Sequence, residues 1–400
     1  MWGQNKAEIN SAIETLQRGY AKIDLDAVVN NMNEMHKALA PNTCMLGVVK
    51  TNGYGHGAVH VCHVLEDIDY VFGYAVAAFE EARQLRTEGI KKPIIILSYS
   101  FPYCYEQIAL LDIRPAVFRE DTIPELCEAA KKTGKKIKVH IKVDTGMGRI
   151  GITPDDAGLD FVKKVVEAPE LELEGVFTHL ARADEYDKSS ALKQINIYSE
   201  FVNRIEKELG IKIPLKHCSN SAGILELSNA NFDMVRAGIT MYGLMPSDEV
   251  STGDIKLKAA LSLHSHIAYV KTIHKGQSVS YGGLFTAEKD TRVATIPLGY
   301  GDGYPRLLTG KGSVLIRGQR CPILGRICMD QFMVDVSAIK DLRAGEEVVL
   351  IGESGDEKIT AEEIGALSGR FNYELVCLLH DRLPRVYYLN GEPVYVKTML

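Results

Sequence analysis

Short apolar segments alternate with helical patterns along the chain as far as about Gly243. Runs of four to eight apolar or β-branched residues predict buried strands, and apolar residues that recur every three or four positions predict helices. The predicted strands are 44–50, 70–76, 93–97, 114–118, 137–144, 173–179, 215–219 and 234–237. The predicted helices lie near 58–65, 79–88, 103–111, 121–133, 155–167, 190–209 and 221–228. Eight short strands with helices between them predict an α/β fold, a (β/α)8 barrel.

The pattern changes after Gly243. Runs rich in β-branched residues, separated by Gly, Pro and Asp, predict strands at 262–273, 291–297, 312–317, 331–336 and 346–351. Only residues 361–367 look helical, with Thr360 as the N-cap. We therefore assign residues 1–19 to an N-terminal extension, 20–246 to the barrel and 247–400 to a mostly antiparallel β domain. A doubly wound open sheet is the alternative for the barrel, although no G-x-G-x-x-G follows its first strand.

Composition and charge narrow the class of protein. The net charge of −6 argues against a nucleic-acid or anionic membrane partner, because both require a basic face. No apolar run approaches the roughly 20 residues of a membrane span, and the polar N-terminus lacks the apolar core of a signal peptide. The eight cysteines form no C-x-x-C pair, which is typical of reduced thiols. These features predict a cytoplasmic protein.

Polar residues stand where several predicted barrel strands end, and the active site of such a barrel lies at that end. A lysine there loses hydration, which lowers its pKa and supplies an amine for imine chemistry. Lys50 taken alone is as well explained by a solvated strand cap. After the seventh and eighth strands, the Ser221 hydroxyl and the backbone N–H groups of Gly238 and Ile239 can bind a phosphate, although a helix cap and a turn explain them equally. The lysine, the phosphate cradle and Arg236 together describe a site for pyridoxal 5′-phosphate.

Seven motifs in this order give a resemblance to a known family. They are VVKTNGYGHG (48–57), KVDTGMGR (142–149), HCSNSA (217–222), RAGITMYG (236–243), SVSYGG (278–283), LGYGDGYPR (298–306) and GRICMDQ (325–331). Over residues 20–388 the chain resembles the alanine racemases. The resemblance implies a TIM barrel followed by a β domain, pyridoxal 5′-phosphate as cofactor, and a homodimer with shared active sites.

The resemblance implies two proton-transfer groups. Lys50 would hold the cofactor as an internal aldimine and then act on one face of the substrate. Tyr281 of the second subunit would act on the other face, although a strand tyrosine facing a core is the simpler interpretation of that residue alone. A free phenol has a pKa of about 10, so a tyrosine that acts as a base needs cationic neighbours to lower its pKa. The resemblance places His179 and Arg149 nearest to it.

The resemblance also implies how the cofactor and the substrate are held. Arg236 would donate to the pyridine nitrogen and leave it unprotonated, because arginine does not lose its proton. Arg149 would bind the substrate carboxylate or the cofactor's phenolic oxygen, and Lys142 matches a position that is carbamylated in some members. The other implied contacts to the cofactor are Tyr54, His179, Asn220, Ser221, Gly238, Ile239 and Tyr373. The other implied contacts to the substrate are Met329 and Asp330.

The predicted reaction is the interconversion of L-alanine and D-alanine, which supplies D-alanine for peptidoglycan. Serine or a broader range of amino acids is the alternative substrate, although Tyr373 leaves room for little more than a methyl group. A non-catalytic pyridoxal phosphate homeostasis protein would lack the β domain, and a barrel decarboxylase would need an acidic residue in place of Arg236. His56, His60 and His63 have no specific metal-ligand spacing, so we predict no metal site.

Overall fold

A computed structural model describes residues 3–398, which divide into two compact units. The barrel unit contains Val29–Gly53 and Ala58–Lys258. The β-rich unit contains the described residues up to Val28, the loop Tyr54–Gly57 and the described residues from Ala259 onward. Across residues 3–398, no helix has the length and apolarity that crossing a bilayer requires.

The chain begins with a helix that packs within the β-rich unit. This helix, α1 (Lys6–Glu14), starts at Asn5, whose side chain and that of Glu8 form a capping box. Strand β1 (Gly19–Asp24) and helix α2 (Leu25–Lys37) follow. A small core joins this region to the C-terminal strands through Ile9, Leu16, Val386 and Val396.

Eight parallel strands close into a barrel, which confirms the predicted (β/α)8 fold. The strands are β2 (Cys44–Val48), β3 (Val71–Val76), β4 (Ile94–Ile96), β5 (Ile113–Val117), β6 (Ile137–Lys142), β7 (Leu171–Phe177), β8 (Leu215–His217) and β9 (Met234–Ala237). The last strand pairs with the first, with Met234 opposite Cys44. Short, almost wholly apolar strands are expected where helices cover the outside of the sheet and side chains fill its inside.

Helical segments connect the barrel strands. They are α3 (Lys50–Tyr54), α4 (Ala58–Leu65), α5 (Phe79–Thr87), α6 (Tyr105–Leu110), α7 (Thr122–Thr133), α8 (Asp156–Glu167), α9 (Ser189–Leu209) and α10 (Ser221–Glu226). Helix α8 buries Leu159, Val162 and Val165, which lie three residues apart on one face. Helix α7 ends at Gly134, whose φ of 67° suits glycine.

The β-rich unit is built on one large, mostly antiparallel sheet, which confirms the predicted second architecture. The strands of this sheet after the barrel are β10 (Leu261–His266), β11 (Tyr269–Ile273), β14 (Thr291–Ile296), β15 (Ser313–Ile316), β16 (Gln319–Leu324), β17 (Phe332–Asp335), β18 (Glu347–Ser354), β19 (Glu357–Ile359), β20 (Arg385–Leu389) and β21 (Glu392–Lys397). Strands β12 (Ser278–Val279) and β13 (Phe285–Thr286) pair in a separate two-stranded sheet. Strand β1 joins this sheet, antiparallel to β10 and parallel to β20. The helices of the unit's C-terminal part are α11 (Ala361–Ser368) and α12 (Asn372–Cys377).

Two predictions for the β domain were wrong in detail. The predicted strand 262–273 is two strands, because the chain changes pairing partner at Ile267 and Ala268. The N–H of Ile267 donates to Glu346 before β18, and the N–H of Ala268 donates to Thr295 in β14. Helix α12 was not predicted, because six residues are too few to show a helical period clearly.

Candidate active site

Lys50 follows the first barrel strand and begins α3, which is a left-handed turn and not a right-handed helix like the other segments. Thr51, Asn52, Gly53 and Tyr54 have φ angles of 54°, 51°, 63° and 51°, all in the left-handed region. Only glycine adopts this conformation without cost, and other residues pay about 1–2 kcal/mol each. Strain of this kind is concentrated at functional sites, where the surrounding structure must hold it in place.

Side-chain hydrogen bonds hold the left-handed turn after Lys50. Glu81 on α5 accepts the N–H of Thr51 at 2.5 Å, and the Asn52 side chain accepts the N–H of Ala58 at 3.1 Å. They add to the backbone bond within the turn, in which the N–H of Gly53 donates to the carbonyl of Val49 at 2.7 Å. The half-buried Lys50 is therefore presented from a fixed backbone at the carboxyl end of the barrel.

Arg236 lies buried at the end of β9 and donates to four neighbours. Its Nη1 donates to Nδ1 of His217 at 3.1 Å. Its Nη2 shares two hydrogens among three acceptors, the carbonyls of Thr178 and Cys218, each at 2.8 Å, and Nδ1 of His179 at 3.1 Å. Its Nε–H has no acceptor among the described residues, so this group remains for a ligand.

The hydrogen bonds from Arg236 determine the protonation of two histidines. Arginine is always a donor, so Nδ1 of His179 and Nδ1 of His217 must both accept. Burial and the charge of Arg236 lower the pKa of His179 and the pKa of His217 well below the usual value. Both rings are therefore neutral at pH 7 and carry their proton on Nε2.

Positive charge accumulates at this end of the barrel. Burial is the largest cause of the lowered pKa of His179. Four nearby cations lower this pKa further: Arg236, Arg149, Lys142 and Lys50. Burial and Arg236 also lower the pKa of Lys142 to about 8. An excess of cations in a partly dehydrated site favours anionic ligands such as a phosphate or a carboxylate.

Arg149 lies exposed on the loop that follows β6. Asp144 folds this loop, since its Oδ1 accepts the N–H groups of Gly146 and Gly148 at 3.0 Å each. The N–H of Ile152 then donates to the carbonyl of Lys142 at 2.9 Å and closes the loop. The loop therefore returns to the barrel end and presents Arg149 beyond it.

Two loops that follow β8 and β9 meet at Ser221. Its Oγ accepts the N–H of Gly238 at 3.1 Å and the hydroxyl of Thr240 at 3.0 Å. The hydroxyl hydrogen of Ser221 has no acceptor among the described residues. Asn220 caps α10, and Ile239 directly follows Gly238. This end of the barrel thus offers an O–H and backbone N–H groups to an anion.

Tyr54 and Tyr373 form an aromatic pair inside the β-rich unit. Their ring centroids are 6.0 Å apart, and Phe371 stacks on Tyr373 at 4.4 Å. The pair depends on Gly55, whose φ is 81° and at which a Cβ would lie 2.1 Å from the carbonyl oxygen of Val376. Only glycine allows the loop 54–57 to approach α12 this closely.

Tyr281 is 71% exposed and follows a strained residue. Ser280 has φ 66° and ψ −179°, a region that is otherwise almost confined to glycine. Its hydroxyl donates to the carbonyl of Arg326 at 2.6 Å, which holds this conformation. Tyr281 is therefore a large, exposed side chain on a fixed backbone, and not the core tyrosine of the simpler interpretation.

Tyr281 lines an open cavity of about 400 Å³ together with residues of the 328–333 segment. Met329 is 53% exposed, and its N–H has no acceptor among the described residues. Asp330 pairs with Arg382 at 2.8 Å. The full lining consists of Ser280, Tyr281, Cys328, Met329, Asp330, Gln331 and Met333.

The residues proposed from the sequence therefore form three groups. The group at the carboxyl end of the barrel strands contains Lys50, Arg149, His179, Asn220, Ser221, Arg236, Gly238 and Ile239. In the β-rich unit, one group is Tyr54 with Tyr373, and the other is Tyr281 with Met329 and Asp330. We predicted no role for His140 or Glu174, which are also buried inside the barrel. The polar alternation of His140 and Lys142 on an otherwise apolar strand was the signal that they line its inside.

Comparison with known protein families covers both units. Residues 23–246 match the family model of the alanine racemase N-terminal domain, and residues 260–387 match that of the C-terminal domain. A curated alanine racemase of Clostridium perfringens (strain SM101 / Type A) is 42% identical over 381 residues, which are 95% of this chain and 98% of that protein.

Solved structures show the same similarity. The alanine racemase of Clostridium difficile 630 superposes with a TM-score of 0.91 and 38% identity, covering 96% of this chain and 99% of the other. The alanine racemase of Bacillus anthracis with bound L-Ala-P has a TM-score of 0.89 and 38% identity, covering 96% and 98%.

Proposed function

This chain belongs to the alanine racemase family, and we propose on that premise that it interconverts L-alanine and D-alanine with pyridoxal 5′-phosphate as its cofactor. The observation that carries the proposal is the placement of Arg236, a permanent donor buried among neutral acceptors, at the same barrel end as Lys50. We further propose that the D-alanine is used for peptidoglycan.

The residues present fit the cofactor. When bound, pyridoxal 5′-phosphate supplies an aldehyde that bonds to amines and a conjugated ring that makes the substrate Cα–H acidic. Lys50 provides the amine, the Nε–H of Arg236 is available for the ring nitrogen, and the O–H of Ser221 is available for a phosphate oxygen. The cationic surroundings favour the phosphate.

Arg236 supports racemisation over other reactions of the same cofactor. It donates a hydrogen bond to the ring nitrogen without transferring a proton, so no positive charge develops there. Electron withdrawal from Cα is then weaker than with a carboxylate at that position. Negative charge that develops on Cα is then neutralised quickly by a returning proton, which favours racemisation over the other reactions of this cofactor.

Racemisation removes a proton from one face of Cα and returns one to the other, so it needs two groups. Lys50 supplies the first. Tyr281 of a second copy supplies the other in our proposal, in which the exposed 281–284 segment of one chain completes the barrel site of another. Arg149 and the N–H of Met329, with Asp330 beside it, would hold the substrate carboxylate.

The test of this proposal uses two starting materials. Incubated in D₂O with the purified protein and pyridoxal 5′-phosphate, L-alanine and D-alanine should each convert to the same equal mixture, labelled with deuterium at Cα. Chiral chromatography and mass spectrometry measure both. A yellow protein that exchanged no Cα hydrogen would instead indicate a cofactor-carrying protein.

A substitution of Tyr373 tests whether the chain prefers alanine or the alternative substrate, serine. Tyr373→Asn removes a ring that stacks on Phe371 and frees space for a hydroxymethyl group. We expect the ratio of kcat/KM for serine to kcat/KM for alanine to rise about 10-fold. This is the lower end of the effect that one added or missing group has in an apolar pocket. Tyr373→Phe keeps the ring and should leave this ratio unchanged. An unchanged ratio in Tyr373→Asn would remove Tyr373 from substrate selection.

A further inference from the structure

A line of hydrogen-bonded polar side chains runs through the barrel behind Arg236. Nη1 of Arg236 donates to Nδ1 of His217 at 3.1 Å, and Nε2 of His217 lies 3.0 Å from Nδ1 of His140. Nε2 of His140 lies 3.0 Å from Oε2 of Glu174. All four residues are buried, on β9, β8, β6 and β7. The inside of such a barrel is ordinarily filled by branched apolar residues.

Every proton in this line has a determined position. Arg236 can only donate, so Nδ1 of His217 accepts and its Nε2 carries the hydrogen. Nδ1 of His140 must then accept from His217, and Nε2 of His140 donates to Glu174. The line cannot pass a proton along, because its first member does not lose one. Its function is to set the direction of the hydrogen bonds.

Glu174 stays ionised at the far end of the line. Burial alone would raise its pKa, but the hydrogen bond from His140 and the charge of Arg114 outweigh burial and lower the pKa to about 2. Nε of Arg114 donates to the same Oε2 at 3.2 Å, and Lys138 lies 3.5 Å from the other oxygen. The carboxylate is therefore a permanent acceptor.

The barrel backbone is shaped around this line. Val139 pairs with Leu173, but His140 pairs with Gly175, so Glu174 is an extra residue in a β-bulge. A bulge redirects a side chain, here into the barrel. At Gly175 a Cβ would lie 2.4 Å from Nδ1 of His140, so the imidazole occupies the place of a side chain. Two local features thus accommodate His140 and Glu174.

We propose that Glu174 is a positioning residue for Arg236, acting through His140 and His217. This inference rests on the proposed function, in which Arg236 binds the cofactor ring nitrogen. Without an acceptor at the end of the line, His140 can carry its proton on Nδ1, and His217 must then accept on Nε2 and carry its own on Nδ1. That N–H faces Nη1 of Arg236, donor against donor, and the guanidinium turns away from His217 about its remaining bonds to Thr178 and Cys218.

The first test needs no substitution. Long-range ¹H–¹⁵N spectra of the histidine-labelled full chain with pyridoxal 5′-phosphate should show both His140 and His217 protonated on Nε2 only. The two signals are assigned by their loss in His140→Gln and His217→Gln. A proton on Nδ1 of either ring in the unsubstituted protein would overturn the proposal.

The second test separates the acceptor from the charge. Glu174→Gln keeps an oxygen acceptor, and we expect it to preserve the His217 tautomer and kcat within about 2-fold. Glu174→Met keeps the length without an acceptor, and we expect mixed tautomers at His217 and a kcat lower by roughly 10–100-fold, as for outer-shell partners. Glu172→Met, an exposed position on the same strand, is the matched control and should change neither.

The outcomes distinguish this proposal from the proposed function. An unchanged His217 tautomer in Glu174→Met, or an equal kcat loss in Glu174→Gln and Glu174→Met, would overturn the positioning role. A chain whose His217 tautomer responds to Glu174→Met but which racemises no amino acid would retain the positioning role and lose the proposed reaction. If Glu174→Met does not fold, Glu174→Leu, which also lacks an acceptor, replaces it and the same outcomes apply.

Discussion

Lys50→Ala should abolish racemisation and the visible absorbance of the lysine-bonded cofactor. Alanine has neither an amine to bond the aldehyde nor a group to move a proton on its face of Cα. We expect kcat/KM to fall at least about 10³-fold, within the range attributed to acid–base groups. Because Lys50 is only half-buried, the substitution should leave the folded structure intact. Absorbance spectra and D-alanine formation measure the two effects.

Two further variants define what Lys50 contributes. Lys50→Arg keeps a cation beside the barrel end but cannot bond the aldehyde, so it should be as inactive as Lys50→Ala. Lys163→Ala, on the outer helix α8, removes an exposed lysine and should have no effect. A visible lysine-bonded absorbance band that persisted in Lys50→Ala would assign the amine to another residue.

Tyr281→Phe should reduce the rate of racemisation by roughly 10²–10⁴-fold. Exchange of the Cα hydrogen should continue for one of the two enantiomers. Only the phenol hydroxyl is lost, so Lys50 can still exchange the Cα hydrogen of the enantiomer that faces it. In D₂O, one enantiomer of alanine should acquire deuterium without inversion, and the other should not exchange. Mass spectrometry of each enantiomer measures this asymmetry. Equal exchange of both enantiomers would contradict the role of Tyr281.

Mixed oligomers test whether Tyr281 acts on a second copy. Neither Lys50→Ala nor Tyr281→Phe should be active alone. If each site combines Lys50 of one chain with Tyr281 of another, a mixed dimer has one intact site and one doubly substituted site. Co-expression should then restore roughly a quarter of the sites. No recovery, with mixed dimers shown by mass spectrometry, would mean that both groups come from one chain.

The two strained segments explain why these residues are held so firmly. Lys50 precedes a left-handed turn, and Tyr281 follows Ser280 in a conformation that glycine normally adopts. A side chain stabilises each segment: Glu81 accepts the N–H of Thr51, and the hydroxyl of Ser280 donates to the carbonyl of Arg326. In the proposed function both residues transfer protons at one atom, and such groups need fixed backbones because small displacements lower the rate strongly.

Hydropathy located the barrel strands to within about two residues at most ends. Strands that are buried on both faces must be short and apolar, and helices must follow them, so local pattern and fold agree. The same logic located Lys50 and Arg236, because polar residues that end apolar strands share one rim of a parallel barrel. Helix α12 was missed because six residues are too few to show a helical period, and the break at Ile267 was missed because it depends on which strand lies opposite.

By itself, then, the sequence determined the (β/α)8 barrel, the β-rich unit and the residue types available for chemistry at the strand ends. Only the tertiary structure decided which polar residues meet. Glu174 looks like an ordinary strand glutamate until the bulge and the side-chain-free Gly175 bring it to His140. The direction of each hydrogen bond from there to Arg236 follows from a donor and an acceptor at opposite ends, and the side-by-side pairing of β6 to β9 brings them together.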